Sequence, residues 1–193
     1  MGSGAIALFG TSADPPTCGH QALLEGLLER YEQVAAWASD NPMKRHGASL
    51  EVRRALLQAV IDQIQDPRLS LIQALSSPYT LVTLEKALEH WPRGQLVFVV
   101  GSDLAAQIPS WKQSERWLQQ CRLAIAPRQG WPISATSLDR LRQLGAELEL
   151  LDLVVPASAS SQLRQAPARD QVPMAVWPLL EKHNLYGLSE TNV

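Results

Sequence analysis

Apolar positions fall into short unbroken runs separated by longer stretches in which they recur with a helical period. Ala5–Phe9, Gln33–Ala38, Arg68–Ile72, Gln95–Val100, Arg122–Ala126 and Glu147–Val155 have the length and β-branched or bulky content of strands. Gln95–Val100 is the strongest of these signals. Between them, Gln21–Arg30 puts Leu23, Leu24, Leu27 and Leu28 on one helical stripe. Ser49 is placed to cap a helix carrying Leu56, Leu57, Val60, Ile61 and Ile64. A helix opens near Pro78-Tyr79-Thr80, runs toward His90 and is stopped by Pro92-Arg93-Gly94. Trp111-Lys112 and Glu115–Leu118 read as one short helix, Ser137–Leu144 as the next, and Ser158–Arg164 and Pro173–His183 as the last two. Strands alternating with helices imply an α/β class with a doubly wound, mostly parallel sheet. The reading is one domain over residues 1–193, with a small helical C-terminal part from about residue 157 and neither repeats nor a linker.

Composition narrows this picture. With 193 residues, 46% apolar and 19% charged, the chain has the makings of a folded globular protein. Its formal charge of -2 speaks against a nucleic-acid partner, which requires a clustered basic face. Cys18 and Cys121 form neither a disulfide framework nor a C-x-x-C pair. Ile6 occupies the position where myristoylation needs Ser or Thr, and no run approaches membrane-spanning length. The expectation is a cytoplasmic protein without membrane or nucleic-acid partners. No pattern in the chain specifies an oligomeric state.

Chemistry concentrates where strands end. The first strand stops at Gly10, crosses Thr11-Ser12-Ala13-Asp14-Pro15-Pro16 and enters a helix near Gly19-His20. The first N–H groups of a helix lack intrahelical partners and share the positive end of its dipole, so such a turn is suited to phosphate. Gly19 is expected to let phosphate approach the backbone, and His20 to place a nitrogen donor on it. Asp14 is assigned a structural role, bonding its own loop backbone. Further polar clusters follow other strands: Ser39–Gly47 with Lys44 and Arg45, Gly101-Ser102-Asp103, Arg128–Trp131, and the helix start Ser160-Ser161 with Arg164.

Thr17-x-Gly19-His20 after a strand resembles the (H/T)xGH signature of nucleotidyltransferases. Six more motifs in order are similar to those of bacterial nicotinate mononucleotide adenylyltransferases. They are Asn41-Pro42-x-Lys44, Tyr79-Thr80-x-x-Thr83-Leu84, Gly101-x-Asp103 with Trp111, Arg128-x-Gly130-Trp131, Ser160-Ser161-x-Leu163-Arg164, and Val172-Pro173 with Leu185-Tyr186. The resemblance implies a Rossmann-like nucleotidyltransferase fold. It also implies transfer of the adenylyl group of ATP to nicotinate mononucleotide in NAD biosynthesis, with Mg2+ accompanying ATP. By the same resemblance His20, Thr17 and Arg164 are catalytic. Gly10, Thr11, Ser12, Gly19, Gly101, Asp103, Ser160 and Ser161 join His20 and Arg164 around ATP. Lys44, Tyr79, Thr80, Trp111 and Arg128 hold the mononucleotide. The chain departs from the family pattern at Ala13 (often Phe), Lys112 (often aromatic) and Gln162 (usually Thr). It also shortens the Asn-Pro loop by one residue and reduces paired glycines to Gly10. The alternatives are the same chemistry on nicotinamide mononucleotide or phosphopantetheine, and a non-catalytic nucleotide sensor.

Overall fold

A computed structural model describes residues 4–153, 155–156 and 160–188. Val154, Ser158 and Ala159, which belong to two of the expected elements, lie outside the described residues. Strands β1 (Ala5–Thr11), β2 (Gln33–Ala38), β3 (Leu69–Leu71), β4 (Gln95–Gly101), β5 (Arg122–Ala126) and β6 (Glu147–Leu150) form one sheet in the order β3-β2-β1-β4-β5-β6. Every neighbouring pair is parallel. The helices are α1 (Cys18–Leu28), α2 (Leu50–Ile64), α3 (Thr80–His90), α4 (Ser102–Ala105), α5 (Ser114–Trp117), α6 (Ala135–Gln143), α7 (Ser160–Gln165) and α8 (Trp177–Lys182).

The central strands β1, β2, β4 and β5 read as near-continuous apolar runs because both faces of the sheet are covered there, whereas the edge strands β3 (Leu69-Ser70-Leu71) and β6 (Glu147-Leu148-Glu149-Leu150) alternate. On β1, Ala7 and Phe9 pack into one core with Leu23, Leu24 and Leu27 of α1 and Leu56, Leu57 and Val60 of α2. Ile6 and Leu8 alternate to the other face, where Phe98, Val100, Leu84, Trp117 and Leu123 make a second core.

Three expected elements are corrected. The strand expected to reach Val155 stops at Leu150, because pairing with β5 ends where that strand meets Pro127, which has no N–H to offer a ladder. Trp111 and Lys112 are not helical. They link a 3-10 turn, Ile108–Ser110, to α5, and Gln113 between them and α5 is left-handed at φ 57°. The final helix begins only at Trp177, with Pro178 in its first turn, where a missing N–H costs no intrahelical bond.

Strand order reverses between β1 and β4, each continuing outward through its own neighbours. The crevice beyond the carboxyl ends of these two strands is where open α/β sheets bind ligands. The Thr11–Thr17 loop and the Gly101–Asp103 turn flank it. Among the described residues, no helix is long and apolar enough to cross a membrane.

Candidate active site

His20 is the third residue of α1, and its ring folds back on the helix start. Thr17 donates its N–H to His20 Nδ1 at 3.0 Å, and the Thr17 hydroxyl lies 2.9 Å from the same nitrogen. An accepting Nδ1 puts the proton of the neutral ring on Nε2, which becomes a donor. Desolvation, reinforced by the positive charge of Arg128, lowers the His20 pKa to about 4, so the ring is neutral at physiological pH. Thr17 is 1% exposed and turned toward His20. Thr17 therefore sets the tautomer and direction of the imidazole.

Gly19 has a further reason. A Cβ there would lie 2.8 Å from the Pro156 carbonyl oxygen, so the missing side chain makes room for the returning chain. Gly10 is needed for a similar reason, since its Cβ would meet the Trp37 indole at 2.6 Å. Thr11 is buried, and its hydroxyl accepts from Ala13 N–H at 3.3 Å, inside its own loop. Ser12 presents its carbonyl to Arg53.

The loop turns through Ala13 at φ 49°, a left-handed conformation that costs roughly 1–2 kcal/mol for a residue with a Cβ. Such a turn persists only where its surroundings over-determine it, and here they do. Arg53, 1% exposed, donates to the carbonyls of Ser12 (2.8 Å), Ser39 (2.8 Å) and Ala48 (3.2 Å). Asp14, also 1% exposed, accepts from Gly47 N–H (2.7 Å), Ala48 N–H (3.2 Å) and the Tyr186 hydroxyl (2.6 Å). Its role is structural, as expected, but it bonds a loop more than thirty residues away instead of its own. Arg53 belongs to none of the motifs, although it stands three, four and seven positions before Leu56, Leu57 and Val60, on the buried stripe of α2. That periodicity was the signal.

The C-terminal part reaches the same loop. Ser160 Oγ donates to the Pro15 carbonyl at 2.9 Å, and Arg164 Nη1 to the Asp14 carbonyl at 2.8 Å. Both therefore hold the loop after β1. Arg164 remains 32% exposed, leaving donors for a ligand. Ser161 is exposed at the start of α7.

Across the crevice, Arg128 Nη1 pairs with Asp103 Oδ2 at 2.6 Å, joining the turns after β4 and β5. Ser102 reinforces this join, accepting from Arg128 N–H at 3.0 Å and donating to the Trp131 carbonyl at 2.7 Å. Gly101 ends β4 beneath Asp103. Tyr79 and Thr80 open α3, and Tyr79 is 45% exposed. Lys112 Nζ lies 4.4 Å from the centroid of the Tyr79 ring, a cation–π contact. Trp111 is half-buried, its ring 6.1 Å from that of Trp117. Thr83 of the same motif is structural, donating to the Leu75 carbonyl. Lys44 is exposed on the loop after β2, where the Asn41 side chain accepts from Met43 N–H and folds the chain into an Asx-turn.

The family model described as cytidylyltransferase-like matches residues 8–185. A probable nicotinate-nucleotide adenylyltransferase of Synechocystis sp. is 36% identical over 196 residues, covering 94% of this chain and 98% of its own. The chain belongs to the cytidylyltransferase-like family, on its nicotinate-nucleotide adenylyltransferase branch. A second relative in that branch, from Thermus thermophilus, is 31% identical with the same coverage of both chains. The fold matches too. The Plasmodium falciparum nicotinic acid mononucleotide adenylyltransferase complexed with NaAD superposes with a TM-score of 0.77 at 18% identity, over 97% of this chain and 99% of that one.

Proposed function

We propose that the protein transfers the adenylyl group of ATP to nicotinate mononucleotide, releasing pyrophosphate and forming nicotinate adenine dinucleotide for NAD biosynthesis. One observation supports the reading: in a chain of this family, Ser160 and Arg164 of α7 bond the Pro15 and Asp14 carbonyls of the loop that leads to His20. Nucleotidyl transfer needs little covalent help, because positioning and charge neutralisation supply most of the rate. The 5′-phosphate of the mononucleotide attacks the α-phosphorus in line, and pyrophosphate leaves. His20 Nε2–H donates to the oxygen on which charge builds. Arg164, Ser161 and the α7 backbone face the leaving phosphates, while Lys44 attracts the incoming one.

Among the described residues, no three of His, Cys, Asp and Glu gather as a metal site. Asp14 and Asp103 are engaged with protein donors. That fits Mg2+ arriving on the phosphates of ATP, since this ion keeps waters and needs few protein ligands. Bound there, it neutralises phosphate charge.

Tyr79, under Lys112, and Trp111, next to Lys112 in the chain, offer aromatic faces suited to a pyridinium ring. Lys112 adds a cation beside it and so favours the acid over the amide. Lys112→Met is expected to lower the ratio of kcat/KM for nicotinate mononucleotide over nicotinamide mononucleotide by about two- to fivefold, the worth of one exposed charge contact of roughly 0.5–1 kcal/mol. An unchanged ratio would remove Lys112 from acceptor choice.

The test is an acceptor panel. The protein is given ATP, Mg2+ and in turn nicotinate mononucleotide, nicotinamide mononucleotide or phosphopantetheine, with pyrophosphate as readout. Fastest release with the nicotinate compound is expected. Release with phosphopantetheine alone, or with none, would refute the reading.

A further inference from the structure

The hydrogen bonds around Asp14 tie the C-terminal turn to the active site. Leu185–Gly187 forms a 3-10 turn in which Tyr186 is left-handed, at φ 55° and ψ 31°. An aromatic residue is seldom found there, and such outliers persist where the surroundings hold them. The Tyr186 hydroxyl donates to Asp14 Oδ1 at 2.6 Å, and its ring lies against Gly47. A Cβ on Gly47 would stand 2.8 Å from Tyr186 Cε1 and 2.9 Å from Arg164 Cδ, so ring and guanidinium stem seat directly on the backbone of the loop that carries Lys44.

Both oxygens of the carboxylate are committed. Oδ1 takes Tyr186 and Ala48 N–H, and Oδ2 takes Gly47 N–H, with His46 Nδ1 and Arg164 Nη1 each 3.7 Å away. Burial and the Asp14 charge keep the phenol protonated, so it remains a donor throughout the working pH range. Asp14 thus joins two loops that approach the substrates separately: its own, which leads to His20, and residues 41–48, which carry Lys44.

We propose that Tyr186 is a positioning residue that orients the Asp14 carboxylate and so sets the Lys44 loop against the phosphate loop for the incoming mononucleotide. The inference rests on the proposed function for the identity of that substrate. The contacts themselves do not depend on it. Without the hydroxyl, Oδ1 keeps only the longer Ala48 bond and the carboxylate regains freedom to rotate. The Lys44 loop, still fastened at its ends by Arg53 on the Ser39 and Ala48 carbonyls, then loosens between them, while the His20 loop keeps its ties to Arg53 and Ser160.

Two measurements on Tyr186→Phe test this. In steady-state kinetics the KM for nicotinate mononucleotide is expected to rise about tenfold, with the KM for ATP and kcat each within about threefold, because displacement affects one substrate's anchor. Adding Lys44→Ala to Tyr186→Phe should raise that KM little beyond Lys44→Ala alone, since both act through one contact. Equal rises for both substrates, or an unchanged KM with only a lower Tm, would make Tyr186 a plain strut and overturn the proposal. Amide hydrogen exchange at Gly47 and Ala48 reads the clasp without any substrate. Faster exchange there, with the buried amides of α2 unchanged, is expected, and unaltered exchange would refute it. Failure of the wild-type protein to use nicotinate mononucleotide would strike the functional reading, whereas the exchange result decides the clasp.

Discussion

Replacing His20 by Ala is expected to lower kcat about a hundred- to thousandfold, the usual loss when one preorganised donor to a developing oxyanion is removed. The fold should survive, because the imidazole lies at the rim of the core and α1 keeps its backbone bonds to Thr17. The loss should fall on kcat more than on KM, since charge builds on the α-phosphate oxygen only as the bond forms. His20→Asn tests the donor itself: an amide that presents an N–H should retain more activity than Ala. The pH dependence separates this donor from a general acid. With a pKa of about 4, the ring is neutral in the free protein well below pH 6.5, so its titration does not shape kcat/KM above pH 5. Stability responds differently. The unfolded chain takes up a proton near pH 6.5, which the folded chain refuses until about 4. The stability that the neutral ring contributes is present above 6.5 and is lost as pH falls toward 4. Thermal melts of His20→Ala should therefore change less between pH 7 and pH 5 than those of the wild type.

The largest loss of stability is expected from Arg53→Met. The side chains have similar length, so packing is largely kept, but three backbone carbonyls lose a charged donor and Asp14 loses a buried cation nearby. Removing one member of a buried charge network costs about 3–5 kcal/mol. At roughly 2–4 °C per kcal/mol for a chain of this size, Tm should drop by about 10 °C. Arg54→Met, one position along on the exposed face of α2, should change stability by no more than about 0.5 kcal/mol. Arg53→Lys is not a remedy, because one ammonium cannot reach three carbonyls spread around a planar fork. Equal melts for the two methionine variants would show that Arg53 does not hold the loops.

Much of the fold could be read from local pattern. The four central strands were recognisable because a sheet buried on both faces demands apolar runs, and Gln33–Ala38 and Arg122–Ala126 fall where the runs do, whereas the edge strands Leu69–Leu71 and Glu147–Leu150 show the alternation of half-exposed strands. Boundaries failed where tertiary context decides them. Glu147–Leu150 ends because its neighbour ends, and Trp111-Lys112 leave the helix because Gln113 turns left-handed. In the candidate site, the placement of His20, Lys44, Asp103 and Arg128 after strands β1, β2, β4 and β5 was legible from the polar clusters that follow those strands. What was not legible was the scaffolding between them. Nothing near Gly19 in the sequence announces the Pro156 carbonyl that a Cβ there would meet. The bond from Tyr186 to Asp14 spans 172 positions, and no local pattern encodes a contact of that range. Arg53 carried a signal that went unread, since its place on the apolar stripe of α2 marks a buried charge in need of partners.

The central claim is that the crevice between β1 and β4 directs attack to the α-phosphorus of ATP. Incubation with nicotinate mononucleotide and ATP radiolabelled at either the α- or the γ-phosphorus tests it most directly. The α-label should appear in the dinucleotide and the γ-label in pyrophosphate. A γ-label recovered on the acceptor or as free phosphate would mean attack at the other end of the chain of phosphates, and the arrangement of His20 and Arg164 described above would be wrong.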